Sequence, residues 1–217
     1  MRLHRGGRSR AWLGKRLGGD RTLGDRVLRR ALHGAGAVLV LYYLLPPNVL
    51  GIPNPDVLLA ALAVVLGIEA GRWAAGLELP TLRPVEAERP ASFAYFAVAL
   101  VIAVLFFPEA VAVAVILGAA LVDPLIGELR RSERWRPAYP ALPLAVYAVL
   151  AGLSLRWVGG ASLPSTVLLA VLASVAGVGA EYPRLRYLDD DLTMVIVPGL
   201  VLTVLLAALP GVATIGA

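Results

Sequence analysis

The chain contains no cysteine, only two histidines and a single lysine, Lys15. The lack of cysteine excludes disulfides and thiolate metal sites, and two histidines are too few for a histidine-rich zinc site. A Walker-type phosphate loop, which needs a lysine after a glycine-rich turn, is absent as well. We therefore expect any bound metal ion to be held by oxygen ligands.

Charged residues are also scarce. They make up 16% of the 217 residues, whereas apolar residues make up 59% and the mean hydropathy is +0.77. The apolar fraction and the mean hydropathy are both higher than in a typical soluble domain, which indicates a lipid-facing surface. The net charge of +5 does not indicate a nucleic-acid partner, because the basic residues lie beside long apolar runs. The sequence predicts an integral membrane protein that contacts anionic lipid headgroups.

Seven apolar runs approach the length of about 20 residues that a helix needs to cross ~30 Å of hydrocarbon. They are continuously apolar, which is typical of helices and not of barrel strands. The fold predicted is all-α, a polytopic transmembrane helix bundle of about seven spans over residues 29–217, preceded by a basic tail over residues 1–28. The runs lie near residues 31–47, 56–77, 91–107, 110–127, 138–155, 161–181 and 192–212.

The basic residues predict the orientation of these spans. Nineteen of the twenty Lys and Arg residues fall before the first apolar run, from Arg2 to Arg30, and in alternate connections, and only Arg156 falls on the other side. Short basic loops stay in the cytoplasm. The N-terminus is therefore expected inside and the C-terminus outside, with the chain as a multi-pass protein.

Three acids lie near the predicted cytoplasmic ends of spans two, four and six: Glu69, Asp123 and Glu181. A charge at the edge of a span costs free energy, and an acid at a helix C-terminus is disfavoured by about 0.3 to 1 kcal/mol. Three such placements indicate a compensating cation. Mg²⁺ or another divalent ion bound by carboxylates fits this pattern, and so does an arginine.

Two of these acids also have purely structural interpretations. Glu69 can pair with Arg72 one helical turn further on. Asp123 precedes Pro124 and can simply help to end or kink its helix. Both interpretations stay open at the level of sequence.

The remaining candidates are similarly ambiguous. Glu181 can pair with Arg184 at the interface, and the acidic run at 189–191 is placed to cap the last span. His33, at the start of the first span, can contact a phosphate or a substrate hydroxyl, or lie at headgroup level. Acids and arginines at one membrane face suit phosphoryl transfer, in which a metal and cationic side chains share the phosphate charge.

Several stretches occur in an order that resembles one known group. RRALHGAG at 29–36 resembles an Arg-basic-x-x-His helix opening, and GIEAGRW at 67–73 with LRPVEAERP at 82–90 resembles a Glu-x-x-Arg and Arg-x-x-Glu pair. LVDPLIGELR at 121–130 is similar to a Gly-Asp-x-x-Ala/Gly segment, and EYPRLRYLDDDLT at 181–193 to a Glu followed by Asp-Asn-Leu-Thr. Together they resemble the CTP-dependent polyprenol kinases, which include dolichol kinase and phytol kinase.

The resemblance implies transfer of the terminal phosphate of CTP to the hydroxyl of a long isoprenoid alcohol at the cytoplasmic face, with a divalent metal. It implies that the acids hold the metal or orient the hydroxyl, and that arginines of the fourth and sixth connections hold phosphates. The residues expected in these roles are Asp123, Asp190, Asp191 and His33 for catalysis, Glu69, Asp123 and Glu181 for the metal, and Arg130, Arg131, Arg184 and Arg186 for the nucleotide.

The chain departs from the family pattern at three points. Val122 stands where the family has Gly, Asp191 stands where it has Asn, and RRSERWRPAYP replaces a Lys-Ser/Thr-x-Glu-Gly stretch. Two alternatives therefore accompany the kinase hypothesis. One is a CTP-using lipid cytidylyltransferase. The other is a non-catalytic transporter or assembly protein, in which the acids at the inner face coordinate an ion or a proton pathway. Pro143, and Pro198 with Gly199, are the positions where helices could break in such a protein.

Overall fold

The computed structural model describes residues 30–77, 86, 89–182 and 188–208, and these are mostly helical. The predicted basic tail, Arg184 and Arg186 lie outside the described residues. The first helix, α1, comprises residues 30–35 and continues as the 3-10 helix Gly36–Leu44. The longer helices are α2 (Asn54–Ala75), α3 (Ser92–Phe106), α4 (Glu109–Arg131), α5 (Ala141–Leu153), α6 (Leu163–Gly179) and α7 (Asp190–Ala208).

Shorter elements connect these helices. Strands β1 (Asn48–Val49) and β2 (Ile52–Pro53) form a small antiparallel hairpin before α2. A 3-10 turn, Arg136–Ala138, precedes α5. The π-helical segment Ser154–Val158 extends α5 at its C-terminal end.

Four helices are long and apolar enough to cross a membrane: α2, α4, α5 with its extension to Val158, and α7. Helices α3 and α6 are apolar but shorter, with 15 and 17 residues. The mostly helical fold and its membrane-compatible helices are thus confirmed. The number of seven spans and the inside position of the N-terminus stay predictions.

The helix ends follow from local sequence. Pro55 occupies the first turn of α2, where its missing N–H costs nothing, and Gly76 ends that helix in the left-handed conformation with φ 61°. Ser162 caps α6 by accepting a hydrogen bond from the Ser165 amide. Only Phe107 and Pro108 separate α3 from α4, so these two helices form a tight hairpin.

Helix α4 lies at the centre of the bundle. It contacts α3, α5, α6, α7 and the 3-10 helix Gly36–Leu44, and Ala and Val fill most of its buried positions. Pro124 does not end it, because the helix continues to Arg131. Pro198 likewise lies inside a continuous α7, and Pro143 lies in the first turn of α5. The helix breaks considered from the sequence are therefore not found at these prolines.

Tyr147 of α5 fills the space between α4 and α6. Its side chain is fully buried, and a Cβ placed on Gly118 or Gly177 would come within 2.4 or 2.5 Å of its ring. These two glycines therefore allow three helices to close around one large aromatic side chain.

Candidate cation site

Three side chains from three helices meet at one end of the bundle. His33 of α1 places its Nε2 3.0 Å from Oδ1 of Asp191, in the first turn of α7, and 3.6 Å from Oδ2 of Asp123 in α4. The packing of α1, α4 and α7 brings these positions together, although His33 and Asp191 are 158 residues apart in the chain. The three side chains offer ligand atoms that all lie within 4.8 Å of one another.

A second group of acids shares Asp123. Ligand atoms of Asp123, Glu181 and Asp190 also lie within 4.8 Å of one another, and so do those of the run at 189–191. The structure therefore brings together five residues that the sequence singled out: His33, Asp123, Glu181, Asp190 and Asp191.

Asp191 is the most deeply buried member of the site. Its side chain has no exposed surface, and Oδ1 is the atom within hydrogen-bond distance of His33. Within the described part of the chain, Oδ2 has no hydrogen-bond partner. A buried carboxylate oxygen in this state carries a desolvation cost, which a bound cation would offset. This oxygen fits a metal ligand better than it fits a helix cap.

The imidazole of His33 is held in place by an aromatic ring. Phe96 of α3 stacks on it with ring centroids 4.4 Å apart and planes 9° from parallel. Gly36 makes this possible, because a Cβ at that position would lie 2.5 Å from the Phe96 ring. The glycine one turn after the histidine therefore has a packing role.

Glu69 differs from its expected role as a metal ligand. Both of its oxygens accept hydrogen bonds from Arg72, at 2.8 and 2.6 Å, and the Ala91 amide donates a further bond at 2.8 Å. Among the described residues, Glu69 belongs to none of the groups placed to hold a metal. The structure therefore shows the pairing of Glu69 with Arg72 that the sequence left open. The two side chains lie one helical turn apart, and both are buried.

Arg72 extends this pairing into the segment that precedes α3. Its Nη2 donates to the backbone oxygens of Glu86, at 3.2 Å, and Arg89, at 3.4 Å. Arg89 in turn donates to Asp189 at 2.7 Å, immediately before the acids of α7. Hydrogen bonds of Arg72 and Arg89 thus connect Glu69 to Asp189, next to the cation site.

Ser92 joins two further carboxylates beneath the site. Its Oγ lies within hydrogen-bond distance of Glu86 Oε1 and, at 3.2 Å, of Asp189 Oδ2. Glu86 and Asp189 are both about 1% exposed. Two buried acids around one hydroxyl form a polar network that supports the first turn of α7.

Arg130 contacts one of the acids of the site. Its Nη1 is 2.6 Å from Glu181 Oε1, and its guanidinium lies over the rings of Tyr139 and Tyr182 at 4.6 and 5.7 Å. The Tyr139 hydroxyl accepts a hydrogen bond from Arg130 Nη2 at 2.6 Å. Arg131 is exposed on the same helix turn.

Sequence reasoning missed four residues that shape this site: Glu86, Ser92, Phe96 and Tyr139. Glu86 lies within the LRPVEAERP stretch, and its position in that motif was the available signal. The other three carry no local pattern that separates them from ordinary serine or aromatic residues. Their roles arise from packing between distant helices.

Comparison with protein-family models, curated proteins and solved structures found no match to this chain. The likeness to polyprenol kinases consequently depends on the motifs alone. The site chemistry is independent of that likeness: four carboxylates and one imidazole lie beside a guanidinium at one end of an apolar bundle. Such a set can bind a divalent cation and an adjacent phosphate.

Proposed function

We propose that the chain is a membrane-embedded lipid kinase that transfers a phosphoryl group from CTP to a long-chain isoprenoid alcohol. In this proposal the chain crosses the membrane seven times with its N-terminus in the cytoplasm, and the site opens to the cytoplasmic face. The short helices α3 and α6, together with α1 and the 3-10 helix Gly36–Leu44, then bring the four longer helices to seven.

The observation that carries the proposal is the convergence of His33, Asp123, Glu181, Asp190 and Asp191 next to Arg130. Phosphoryl transfer depends mainly on positioning and on charge stabilisation, because the transferred group spreads negative charge over its oxygens. A divalent cation on the carboxylates and a guanidinium beside them provide both. CTP itself, and not ATP, is proposed from the family resemblance.

The location of the site suits two chemically different substrates. The helices present apolar side chains along their length, while the acids lie at helix ends: Asp190 in the first turn of α7 and Glu181 just after α6. A lipid alcohol can approach laterally between helices, and a nucleotide can approach from water. A site at this boundary lets the hydroxyl meet the terminal phosphate without either substrate leaving its own medium.

In the proposed reaction, the alcohol oxygen forms a bond to the terminal phosphorus of CTP. The bond from that phosphorus to the bridging oxygen breaks, and CDP leaves with the bond's electrons. The hydroxyl proton passes to a carboxylate of the site, for which Asp123, Asp190 and Asp191 are the candidates. Arg130 stabilises the phosphate oxygens once it is released from Glu181 or while it is shared with it.

A metal ion supplies charge stabilisation when it is bound, and the residues present fit one. Asp123 of α4 belongs to two of the groups placed to hold a metal, one with His33 and Asp191 and one with Glu181 and Asp190. Asp191 contributes a buried oxygen, Oδ2, that has no hydrogen-bond partner among the described residues. Glu69 is left out of this set because Arg72 already engages both of its oxygens.

The decisive experiment incubates purified protein with CTP labelled in the terminal phosphate, Mg²⁺ and a polyprenol in mixed micelles. We expect labelled polyprenyl phosphate from the wild type and at least a hundredfold less from Asp123→Asn. Arg156→Gln, a change at the far end of α5, serves as the matched control with full activity. ATP in place of CTP measures nucleotide choice.

The products separate the alternatives. A cytidylyltransferase would attach cytidine monophosphate to a phosphorylated lipid and release pyrophosphate, so label in the base would stay on the lipid. A transporter or assembly protein would give no lipid product with any nucleotide. Either result contradicts the kinase proposal.

A further inference from the structure

The group formed by His33, Asp123 and Asp191 contains a nitrogen atom. The sequence led us to expect oxygen ligands only, because two histidines cannot build a histidine-rich site. The fold nevertheless places the single imidazole of α1 directly between two carboxylates of α7 and α4.

We propose that His33 is a metal ligand, and that with Asp123 and Asp191 it forms a mixed nitrogen–oxygen site that prefers a divalent transition ion such as Mn²⁺ over Mg²⁺. The inference rests on the cation site of the proposed function and not on its substrates. Imidazole suits first-row transition ions, whereas Mg²⁺ prefers oxygen alone.

The distances agree with ligands around one ion. With metal–ligand bonds of about 2.1 Å, neighbouring ligand atoms lie about 3.0 Å apart in an octahedron and about 3.4 Å apart in a tetrahedron. Nε2 of His33 lies 3.0 Å from Asp191 Oδ1 and 3.6 Å from Asp123 Oδ2. An ion can therefore bind with small side-chain adjustments.

The burial of Asp191 is an independent observation. The Asp191 side chain is fully buried, and its Oδ2 has no hydrogen-bond partner among the described residues. The contact of the imidazole with Oδ1 leaves this second oxygen unsatisfied. A cation contacted by Asp191 removes that cost.

The surroundings of His33 orient the ring for binding. Phe96 stacks against one face of the imidazole, and this fixes the direction in which Nε2 points. Oriented imidazoles are typical of metal sites, where supporting contacts change metal affinity by about 10-fold to 100-fold. The stacking also keeps bulk water from that face of the ring.

The test uses full-length protein in detergent micelles loaded with Mn²⁺ alone, without nucleotide or lipid. Pulsed electron paramagnetic resonance should detect a ¹⁴N coupling to the bound Mn²⁺ in the wild type. The coupling should disappear in His33→Gln and persist in His4→Gln, which removes the other histidine of the chain. If His33→Gln does not fold, the His4→Gln protein labelled with ¹⁵N-histidine provides the test, because His33 is then the only labelled histidine. The ¹⁴N coupling should be replaced by a ¹⁵N coupling from His33.

Binding isotherms measure the preference. We expect wild type to bind Mn²⁺ at least about tenfold more tightly than Mg²⁺, and His33→Gln to lose about tenfold in Mn²⁺ affinity with little change for Mg²⁺. Bound Mn²⁺ without histidine coupling would overturn the inference, and so would the absence of any bound ion.

The inference and the proposed function can fail separately. Nitrogen-coupled Mn²⁺ without formation of lipid phosphate would leave His33 as a ligand and refute the kinase. Formation of lipid phosphate by a protein whose bound Mn²⁺ shows no histidine coupling would support the kinase and refute His33 as a metal ligand.

Discussion

Arg89 donates a hydrogen bond from Nη2 to Oδ2 of Asp189 over 2.7 Å, joining the segment before α3 to the start of α7, 100 residues further along the chain. The Asp189 side chain is fully buried, and that of Arg89 is 21% exposed. This ion pair ties the acids at the first turn of α7 to the segment beneath them. The cation site therefore depends on a contact outside its own ligands.

Removing Arg89 should destabilise the protein strongly. Arg89→Gln removes the guanidinium that donates to the buried Asp189 carboxylate, and we expect a loss of about 3 kcal/mol in the free energy of unfolding. Asp189→Asn in the same background should recover part of that loss. Detergent-induced unfolding of both variants checks this, with Arg156→Gln as the control. An Arg89→Gln protein of wild-type stability would contradict it.

Glu69 should matter for stability and not for metal binding. Arg72→Ala removes the guanidinium that donates to both Glu69 oxygens and to two backbone carbonyls and leaves Glu69 only the Ala91 amide as a donor among the described residues, so we expect a loss of about 3 kcal/mol in the free energy of unfolding. Glu69→Gln should be milder and should leave Mn²⁺ affinity within about twofold of wild type. Asp123→Asn should behave in the opposite way. Equal losses of Mn²⁺ affinity in Glu69→Gln and Asp123→Asn would restore Glu69 as a ligand.

Two glycines of the first helical segment should respond differently to the same substitution. A methyl group at Gly36 would meet the Phe96 ring, whereas one at Gly34 meets nothing within 4 Å. Gly36→Ala should cost about 1 to 3 kcal/mol and weaken Mn²⁺ binding by displacing the ring stacked on His33. Gly34→Ala is the matched control. Equal thermal stability and equal Mn²⁺ affinity of the two variants would show that Phe96 does not position the imidazole.

The packing around Tyr147 gives a prediction away from the site. Gly118→Ala should cost about 1 to 3 kcal/mol through contact with the Tyr147 ring, while Gly127→Ala in the same helix should be near neutral because its surroundings are open. Tyr147→Phe should be neutral or slightly stabilising, since the buried hydroxyl has no partner in the described chain. Thermal unfolding in micelles measures all three. A clear loss in Tyr147→Phe would reveal a partner for the hydroxyl.

Arg130 should affect the nucleotide more than the lipid. Arg130→Gln removes the guanidinium that lies next to Glu181 and over Tyr139, and we expect KM for CTP to rise about tenfold or more with a smaller change in KM for polyprenol. Arg130→Lys should recover only part of the loss, because an ammonium cannot bind phosphate oxygens in a bidentate way. An increase confined to the polyprenol KM would place Arg130 at the lipid instead.

Local sequence was sufficient to predict the helices and most of the acids in the site. Apolar runs of sufficient length can satisfy their backbone groups in lipid only as helices, so the segments near α2, α4 and α7 were predictable from composition. Asp123, Glu181, Asp190 and Asp191 were recognisable because charge next to such runs is costly. The possibility that the helix ends at Pro124 was wrong, since the helix continues through this residue to Arg131.

The partner of each charged group was not predictable in the same way. For Glu69 the sequence left two partners open, a cation shared with Asp123 and Arg72, and the structure pairs it with Arg72. The direction in which a side chain points around its helix depends on neighbouring helices, and sequence position along the span does not specify it. Glu181 similarly pairs with Arg130, a residue 51 positions away.

The amino-acid sequence by itself determined that apolar helices would form and that acids and arginines would lie at their ends, because the hydrophobic effect and the cost of charge in lipid act on each segment separately. Only the tertiary structure decided that His33 would lie beside both Asp123 and Asp191, and that Arg89 would pair with the buried Asp189. Those contacts join segments that are distant in the chain, so they exist only once the helices have packed.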